Sequence, residues 1–566
     1  MGLGVLESKL MRDVPGHVVQ NNDASQLKRT KDGIVLVPQP SDDPRDPLNW
    51  PLWRRDMITF LLCMLSVLAS TLSPLLAANT ITLLFWFQGQ TITSMALLTG
   101  YHLLGVAVAG FFFVASARVW GKRHTYILGT VIIIASSIWG GYAGHSYESL
   151  VAARFFQGVG LAPFEACVNA SVGDLYCVHE RGKRMALTNL CLFGGAFFTP
   201  VIVGVITETM GWWWTFWFIA IFASIFLPVV FVLCPETTFI RDQKRHIPTP
   251  TIPEIYEFRQ PSSAASDDDR KFSDAVWAMN KRDSHIMRIE TMKEVSMDLG
   301  RDHLEAQRPM QPVPWVSKTS LKLFNGRFTD ESFFQLLLRP LPLFFHPGIL
   351  WACLIQGTLI MWTALLGVIL AVVVIAPPLS FNATQTGFMY GGAFVGALVG
   401  FILSGVLADS STKWLCKMNN GVFEPEFRMV LVIPQMFFGC IGLFGFGYAS
   451  ANTAVYGWVL PDVFFGFVTC GMVLGAVASA LYIVDAHADI EVEGFTCLLI
   501  FKNMLTFVIT FYAFDWYSQS GIYKLMYSSG AVQVGILSLT IPMYIFGKKN
   551  RAFFTKYDML KILWLR

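Results

Sequence analysis

The sequence predicts an all-α membrane protein whose twelve transmembrane helices form two pseudo-symmetric six-helix bundles. Only 14% of the 566 residues are charged, against about 25% in an average soluble protein. The charge is missing from repeated apolar stretches of about 20 residues, which as helices cross roughly 30 Å of hydrocarbon. These stretches are expected to be helical because a backbone in lipid must satisfy its own hydrogen bonds.

The first bundle is predicted at residues 55–234, after a polar N-terminal tail of residues 1–54. The tail has no apolar h-region, so no cleaved signal peptide is expected. The six predicted spans of this bundle are 57–78, 95–117, 125–143, 149–170, 186–207 and 212–234.

A polar stretch at residues 235–345 separates the two bundles. It contains an acidic run at residues 267–269 and several prolines, a composition typical of a partly disordered cytosolic linker. A short amphipathic helix is expected near residues 275–297.

The second bundle is predicted at residues 346–547, before a short tail of residues 548–566. Six spans on each side of a central loop are typical of carriers built by internal duplication. The six predicted spans of this bundle are 346–376, 387–408, 429–449, 456–483, 495–514 and 530–547.

The distribution of lysine and arginine orients the predicted helices. With a cytosolic N-terminus, the short inside segments carry fourteen basic residues, whereas the outside segments carry only Lys524. The positive-inside rule then places both termini and the linker in the cytosol. The sequon Asn382-Ala383-Thr384 falls in a loop that this topology places outside, so Asn382 is a candidate glycosylation site. A second sequon, at Asn169, falls at the cytosolic end of span four and is not expected to be used.

Span four carries Arg154 and Glu165, two charges that a membrane helix rarely retains without a partner or a cavity. They are eleven residues apart, which at 100° per residue returns to nearly the same helix face about 16 Å along the axis. This pattern favours a polar stripe facing a central cavity over a buried structural ion pair. Glu165 is the better candidate for a group that gains and loses a proton.

Span eleven contains Lys502 and Asn503 about a third of the way into an apolar helix. Lys502 either reaches back to the cytosol along its alkyl stem or lines the cavity. The acidic run before this span is expected to be a solvated loop; it consists of Asp485, Asp489, Glu491 and Glu493. Six further cavity candidates, for each of which packing is an equally good explanation, are Asn79, Tyr101, His102, Gln356, Trp362 and Tyr390.

Composition argues against several function classes. A net charge of +3 gives no basis for nucleic-acid binding, and none of the ten cysteines forms a C-x-x-C pair for a zinc site. The ten histidines form no cluster at a membrane face, which disfavours a membrane enzyme. No metal or cofactor is expected.

Several motifs resemble those of the major facilitator superfamily. Residues 154–160 are similar to the R-x-x-Q-G motif in the fourth helix of its drug:proton antiporters. Gly121-Lys122-Arg123 resembles the end of the signature in the loop between helices two and three, and Gly405-x-x-x-Asp409 resembles its counterpart in the second half. The resemblance covers residues 41–550.

Other stretches are similar to a fungal branch that includes yeast histidinol/polyamine-type permeases. They are residues 46–50, 162–165, 174–182, 235–239, 420–428 and 482–485. Three features depart from the family pattern, one of which is Gly211-Trp212-Trp213-Trp214 in place of Gly-Trp-Arg-Trp at the start of span six. The acid of the loop signature is replaced by Arg118 or Ala117, which puts the usual gating salt bridge in doubt, and the antiporter G-P-x-x-G pattern is degraded between Gly194 and Gly204.

The resemblance implies proton-driven transport of a small organic solute by alternating access. Its expected partners are that solute, protons and the lipid bilayer, and the protein is expected to act as a monomer in a plasma membrane. Efflux of a toxic or secondary metabolite is favoured over import of cationic amines such as polyamines. A non-transporting nutrient sensor on the same fold is a third hypothesis.

The resemblance also assigns residues to roles. Arg154 is expected to tune the protonation of its neighbours. Together with the candidates found above in spans four and eleven, this gives Arg154, Glu165, Lys502 and Asn503 as the expected proton-coupling or cavity residues. The expected cytosolic gate residues are Gly121, Lys122, Arg123 and Asp409.

Overall fold

Almost all residues that the structure describes are helical. The structure is a computed structural model, and it describes residues 4–6, 18–19, 40–41, 43, 45–239, 322–324, 326–419, 422–487 and 490–565. The amphipathic helix predicted near residues 275–297 lies outside this range, as does most of the predicted linker.

The first half is built from six long helices that overlap the predicted spans, with ends that differ by up to eight residues, and one short helix. They are α1 (Leu52–Ser70), α2 (Thr80–Trp86), α3 (Ile92–Trp120), α4 (Arg123–Gly141), α5 (Tyr147–Leu175), α6 (Val178–Met210) and α7 (Trp214–Leu233). Short 3-10 turns at Pro47–Asn49 and Ala77–Asn79 lead into α1 and α2.

The second half repeats this pattern with more short helices, both at its ends and between the long helices. Its helices are α8 (Phe333–Leu338), α9 (Pro340–Leu343), α10 (Pro347–Ile375), α11 (Ala383–Phe388), α12 (Gly391–Met418), α13 (Val432–Ala451), α14 (Thr453–Tyr456), α15 (Val459–Ala486), α16 (Glu491–Ser538), α17 (Thr540–Lys556) and α18 (Met559–Ile562). A 3-10 turn at Pro425–Leu431 precedes α13.

Nine helical segments in the described part of the chain are long and apolar enough to cross a membrane. One of them, Glu491–Ile562, contains both of the last two predicted spans. Gly521, with φ +71° and ψ 163°, interrupts the helix between those two spans. Helices α1 and α5 coincide with the first and fourth predicted spans but are not among the nine. The chain is therefore a multi-pass membrane protein.

The two halves have matching internal contacts. In the first half α3 packs against α5 so closely that a Cβ on Gly105 or Gly158 would meet a backbone carbonyl of the other helix. In the second half α12 packs against α15, and a Cβ on Gly396 would meet the carbonyl of Gly466. Small residues allow membrane helices to approach in this way. The same pair of helices is thus in contact in each half.

The most extensive helix contacts between the halves involve α3 and α6. Helix α3 packs along α16, and α6 packs against α11 and α12. Near the far end of α6 the hydroxyl of Thr384 donates a hydrogen bond to Glu208 at 2.7 Å. The second and eleventh predicted spans are therefore neighbours, as are the fifth and eighth.

The N-terminal tail contacts the second half of the molecule. Strand β1 (Val18–Val19) pairs antiparallel with β2 (Val422–Phe423). The backbone N–H of Leu6 also donates to the carbonyl of Ile545 on α17 at 3.0 Å. Leu6 and Val18–Val19 of the tail therefore lie against the opposite half.

The C-terminal region differs from the sequence prediction. Helix α17 continues to Lys556 rather than ending near residue 547. Lys548 donates to Glu424 at 2.7 Å, and Arg551 donates to Glu426 at 2.8 Å, with all four side chains buried. Two charges that the sequence places in a polar tail are thus partners of buried carboxylates, which explains why the helix continues.

Candidate functional site: a charged bridge between the two halves

A charged bridge joins the two halves inside the helical bundle. Lys502 Nζ on α16 donates to Glu165 Oε1 on α5, and Asn503 Nδ2 donates to Glu165 Oε2 at 3.2 Å. The side chains of Lys502 and Glu165 are 8% and 14% exposed. Glu165 lies ten residues before the end of α5, and Lys502 lies eleven residues after the start of α16. The bridge is therefore well inside both helices.

The pairing of Lys502 with Glu165 explains how two charges are retained at this depth. A single ionised side chain within a membrane bundle costs several kcal/mol, and an opposite charge with additional hydrogen bonds offsets that cost. Asn503 supplies one such hydrogen bond to Glu165, and its amide also donates to the carbonyl of Leu499 at 2.9 Å. The Lys502 ammonium therefore lies inside the bundle, against Glu165.

An amide cluster extends the polar face of α5 beside the bridge. Asn169 lies four residues after Glu165, hence on the same helix face. Its Nδ2 donates to Asn189 Oδ1 on α6 at 2.9 Å, and the hydroxyl of Thr188 donates to Asn169 Oδ1 at 2.8 Å. Sequence reasoning missed this cluster, although the four-residue spacing from Glu165 was an available signal.

Arg154 lies apart from Glu165. Its guanidinium is 0% exposed and donates to the carbonyls of Leu72 at 2.7 Å, Ser73 at 3.2 Å and Leu98 at 3.3 Å, and to Gln157 Oε1 at 2.9 Å. Although Arg154 and Glu165 lie on nearly the same face of α5, their long side chains contact different neighbouring helices. Glu165 contacts α16, whereas Arg154 is directed to the end of α1 and to α3.

The predicted gate residues of the first half surround the start of α4. Glu236 accepts hydrogen bonds from the backbone N–H groups of Lys122 at 2.9 Å and Arg123 at 3.1 Å. A carboxylate at this place also interacts favourably with the helix dipole. Gly121 has φ +89°, and a Cβ there would collide with the Glu236 carboxylate. Lys122 Nζ forms an ion pair with Asp174 at the end of α5.

The second half has a corresponding ion pair, but it does not involve Asp409. Arg428 Nε donates to Asp485 Oδ2 at 2.7 Å and so joins the loop after α12 to the end of α15. In the first half, Lys122 and Asp174 join the loop after α3 to the end of α5 in the same way. Asp409 is exposed on α12. The partners Asp174, Glu236, Arg428 and Asp485 all lie in stretches that resemble the family, so that resemblance was the signal for them.

A second ion pair connects the halves at the end of α3. Arg118 Nη1 donates to Glu493 Oε1, and Arg339 Nη1 donates to the same oxygen at 3.4 Å. The prediction that the acidic run before span eleven is a solvated loop is wrong for Glu493, which is 5% exposed, and for Asp485, which pairs with Arg428. Both acids lie at helix ends that pack against basic side chains. Arg118, the departure from the family pattern, has an acidic partner in the other half.

Most of the six further cavity candidates are packing residues. Four are buried, and all four make hydrogen bonds within the protein; three of these are Asn79 with Thr207, Trp362 with Gln533 and Tyr390 with Gly367. The fourth is His102, whose Nδ1 lies 3.3 Å from the carbonyl of Arg154. Tyr101 and Gln356 are partly exposed.

The candidate glycosylation residue Asn382 is exposed at the start of α11. Its Oδ1 accepts a hydrogen bond from the backbone N–H of Gln385 at 2.8 Å and so caps the helix.

The chain is similar over nearly its whole length to fungal transport proteins. Protein HOL1 of Saccharomyces cerevisiae is 25% identical over 553 residues, which cover 95% of this chain and 94% of HOL1. The citrinin biosynthesis cluster MFS transporter mrr1 of Monascus ruber is 23% identical over 556 residues, covering 97% of this chain and 98% of mrr1.

The fold is similar to that of a solved transporter. The xylose transporter XylE from E. coli, in a partially occluded inward open conformation, matches with a TM-score of 0.54 at 13% identity, covering 86% of this chain and 96% of XylE. The family model of the Major Facilitator Superfamily matches residues 57–496, which include Glu165 and Glu493. The chain therefore belongs to the major facilitator superfamily and is a transporter, not an enzyme.

Proposed function

We propose that this chain is a proton-coupled secondary transporter that moves a small organic solute by alternating access. The bridge of Glu165, Lys502 and Asn503 carries the proposal. Protonation of Glu165 removes its negative charge and hence its attraction to Lys502 in the other half. Proton binding thereby weakens a contact that holds the halves together, which is the link that coupled transport requires.

The proposed topology has twelve spans with both termini in the cytosol. The nine apolar segments, the helices α1 and α5, and the interruption at Gly521 together support twelve spans. The excess of fourteen basic residues to one on the two sides supports the orientation.

The proposed direction is efflux of a toxic or secondary metabolite across a plasma membrane. The name of the Monascus ruber relative, which refers to citrinin biosynthesis, supports export. The pairing of Glu165 with Lys502 also argues against a cationic substrate at this position, because the carboxylate is already neutralised. Import of a cationic amine is the alternative, and Asp462 on α15, which accepts a hydrogen bond from the Gly392 N–H at 3.1 Å, is its other acidic candidate.

The proposal is tested with the purified chain in vesicles under an imposed pH gradient. Labelled citrinin, spermidine and a panel of fungal metabolites serve as probes, and proton movement is recorded with a pH-sensitive dye. The wild type is expected to move at least one probe together with protons, and Glu165→Gln is expected to abolish gradient-driven movement.

The matched control is Glu148→Gln, which changes an exposed carboxylate in the first turn of the same helix. It should transport as the wild type does. Proton-coupled transport that survives in Glu165→Gln would refute the mechanism, and the absence of movement of every probe would count against the function itself.

A further inference from the structure

An open groove of about 600 Å³ lies on the outer surface of the second half, away from the bridge. It runs between the first turns of α10 and the junction of α16 with α17, and its volume is in the range of roughly 300–1,000 Å³ of ligand pockets. The lining is apolar and includes Leu350, Trp351, Ile536 and Phe546. Leu350 is 37% and Phe546 51% exposed, on a surface that faces lipid in a membrane protein.

The groove is polar near one end, and Phe553 lies one helical turn beyond the polar residues. Lys549 and Asn550 line this end, and Lys549 is exposed. Its neighbours Lys548 and Arg551 are directed inward to Glu424 and to Glu426. Lys549 is therefore the basic side chain of this stretch that faces the lipid.

The length of the groove matches one leaflet of a bilayer. Ile536 and Lys549 are thirteen residues apart on two almost continuous helices, which is about 20 Å at 1.5 Å per residue. Half of a hydrocarbon core of roughly 30 Å is about 15 Å. An acyl chain that begins beside Lys549 therefore has apolar surface along its whole depth in the leaflet. Trp351 closes the floor, with its indole N–H donating to the Thr540 hydroxyl at 3.1 Å.

We propose that this groove binds one anionic phospholipid, with an acyl chain along the apolar lining and its phosphate beside Lys549 and Asn550. A lysine near the membrane surface attracts lipids with a net negative charge more strongly than zwitterionic ones. The proposed topology places Lys549 at the cytosolic leaflet, where anionic lipids are concentrated. The site does not depend on whether the bridge couples protons, so its test is separate from that of transport.

Native mass spectrometry of the full purified chain tests the proposal. The protein is titrated in detergent with phosphatidylserine or phosphatidylcholine, and the bound lipid is counted. The wild type should retain one phosphatidylserine in preference to phosphatidylcholine. Lys549→Gln should weaken this binding about five-fold, as expected for one lysine beside an anionic headgroup. Leu350→Trp, which fills the groove without changing charge, should weaken the binding of both lipids.

Two matched variants control for surface charge and for added bulk. Lys417→Gln removes an exposed lysine at the end of α12, and Ile402→Trp adds an indole to the exposed face of that helix. Neither should change binding. Equal retention of the two lipids by the wild type would overturn the proposal, as would unchanged binding in Lys549→Gln. An effect of Lys549→Gln without one of Leu350→Trp would also overturn it, because the groove would then hold no acyl chain.

Discussion

Arg154 joins three helices of the first half through hydrogen bonds to their backbone and side chains. Its guanidinium donates to the carbonyls of Leu72, just after α1, and of Leu98 on α3. It also donates to Gln157, which in turn donates to Ser137 on α4 at 3.0 Å. The R-x-x-Q spacing thus has a structural role, because both side chains project from the same side of α5. Arg154 bonds to α3 and to Leu72 just after α1, and Gln157 bonds to α4.

Replacing Arg154 with Met should destabilise the protein by about 3 kcal/mol or more, because buried carbonyls lose their donors. Arg154→Lys should not restore stability, since a single ammonium cannot reproduce the fork of a guanidinium. Thermal unfolding of the purified protein measures the effect. Arg45→Met, which removes a guanidinium that is 84% exposed, is the control. A variant of Arg154 with wild-type stability but no transport would show instead that this residue acts in the transport cycle.

His487, in the loop after α15, makes stability dependent on pH. Burial, and then the neighbouring His346 and Arg551, lower the pKa of His487 well below its usual 6.5. The ring centroids of the two histidines are 4.6 Å apart. The folded protein therefore holds this imidazole neutral, while the unfolded chain takes up a proton below about pH 6.5. Stability is full above that pH and decreases as the pH falls, by up to about 1.4 kcal/mol per pH unit.

A series of melting curves between pH 7.5 and pH 5 measures this dependence. His487→Gln is expected to lose less stability over this range than the wild type. His145→Gln, which alters an exposed histidine, should behave as the wild type. Equal slopes in His487→Gln and the wild type would contradict the assignment.

Isolated charged or amide side chains in apolar segments could be identified from the sequence as candidate site residues. Glu165, Lys502 and Asn503 stood out against the composition of their helices, and the structure brings all three into one contact. Their mutual pairing was not predictable, because residues 165 and 502 are in different halves and no local periodicity relates them. The environment of Arg154 was equally hidden, since backbone carbonyls are present in every helix and leave no mark on the sequence.

Helix α16 makes two charged contacts with the first half, one with α3 and one with α5. Glu493 near its start binds Arg118, and Lys502 further along binds Glu165. The family resemblance predicted a loop of gate residues, but it gave Arg118 no partner. In this pair the base lies on the first half and the acid on the second.

The Arg118–Glu493 contact should appear as a coupling in a double-mutant cycle. Arg118→Gln and Glu493→Gln are combined, and the coupling energy is expected to be about 1 kcal/mol, at the modest end because Arg118 is partly exposed. Thermal unfolding supplies the four stabilities. Arg118→Gln combined with the distant Glu148→Gln should be additive. Additivity in the first pair as well would show that the contact contributes nothing.

The long apolar helices were predictable as elements, but their ends were not. Hydrophobicity gives the length of a span and does not distinguish a polar tail from a helix that continues. At the C-terminus, Lys548 and Arg551 extend α17 because Glu424 and Glu426 neutralise them from a distant loop. The acidic run before α16 was misread for the same reason, since an ion pair with a remote base has no local signal.

Across the whole molecule, the six-plus-six arrangement is reflected in repeated contacts. Lys122 with Asp174 and Arg428 with Asp485 occupy matching places in the two halves. The repetition of six spans in each half was predicted from the apolar stretches on either side of the central polar segment. The orientation of the molecule in the membrane remains a prediction from its charges.

Expression in fungal cells followed by endoglycosidase treatment tests that orientation. The wild type should carry a glycan that is absent from Asn382→Gln, because the Asn382 side chain is exposed in a loop proposed to be outside. Asn169→Gln should keep the glycan, since Asn169 is bonded to Asn189 between helices. Loss of the glycan in Asn169→Gln rather than in Asn382→Gln would contradict the topology.

In its two contacts with the first half, α16 supplies the acid once and the base once. This arrangement restricts both the motion of the helix and the substitutions that it tolerates. Along α16 an acid at Glu493 is followed about 14 Å later by a base at Lys502, and the first half presents the complementary sequence of base and acid. A longitudinal slide of α16 that brought Lys502 towards Arg118 would set like charges against each other, so rotation is the easier route of separation. A sign change at any one of the four positions is likewise tolerable only with a compensating change in the opposite half. Homologues that differ at one position should therefore differ at its partner.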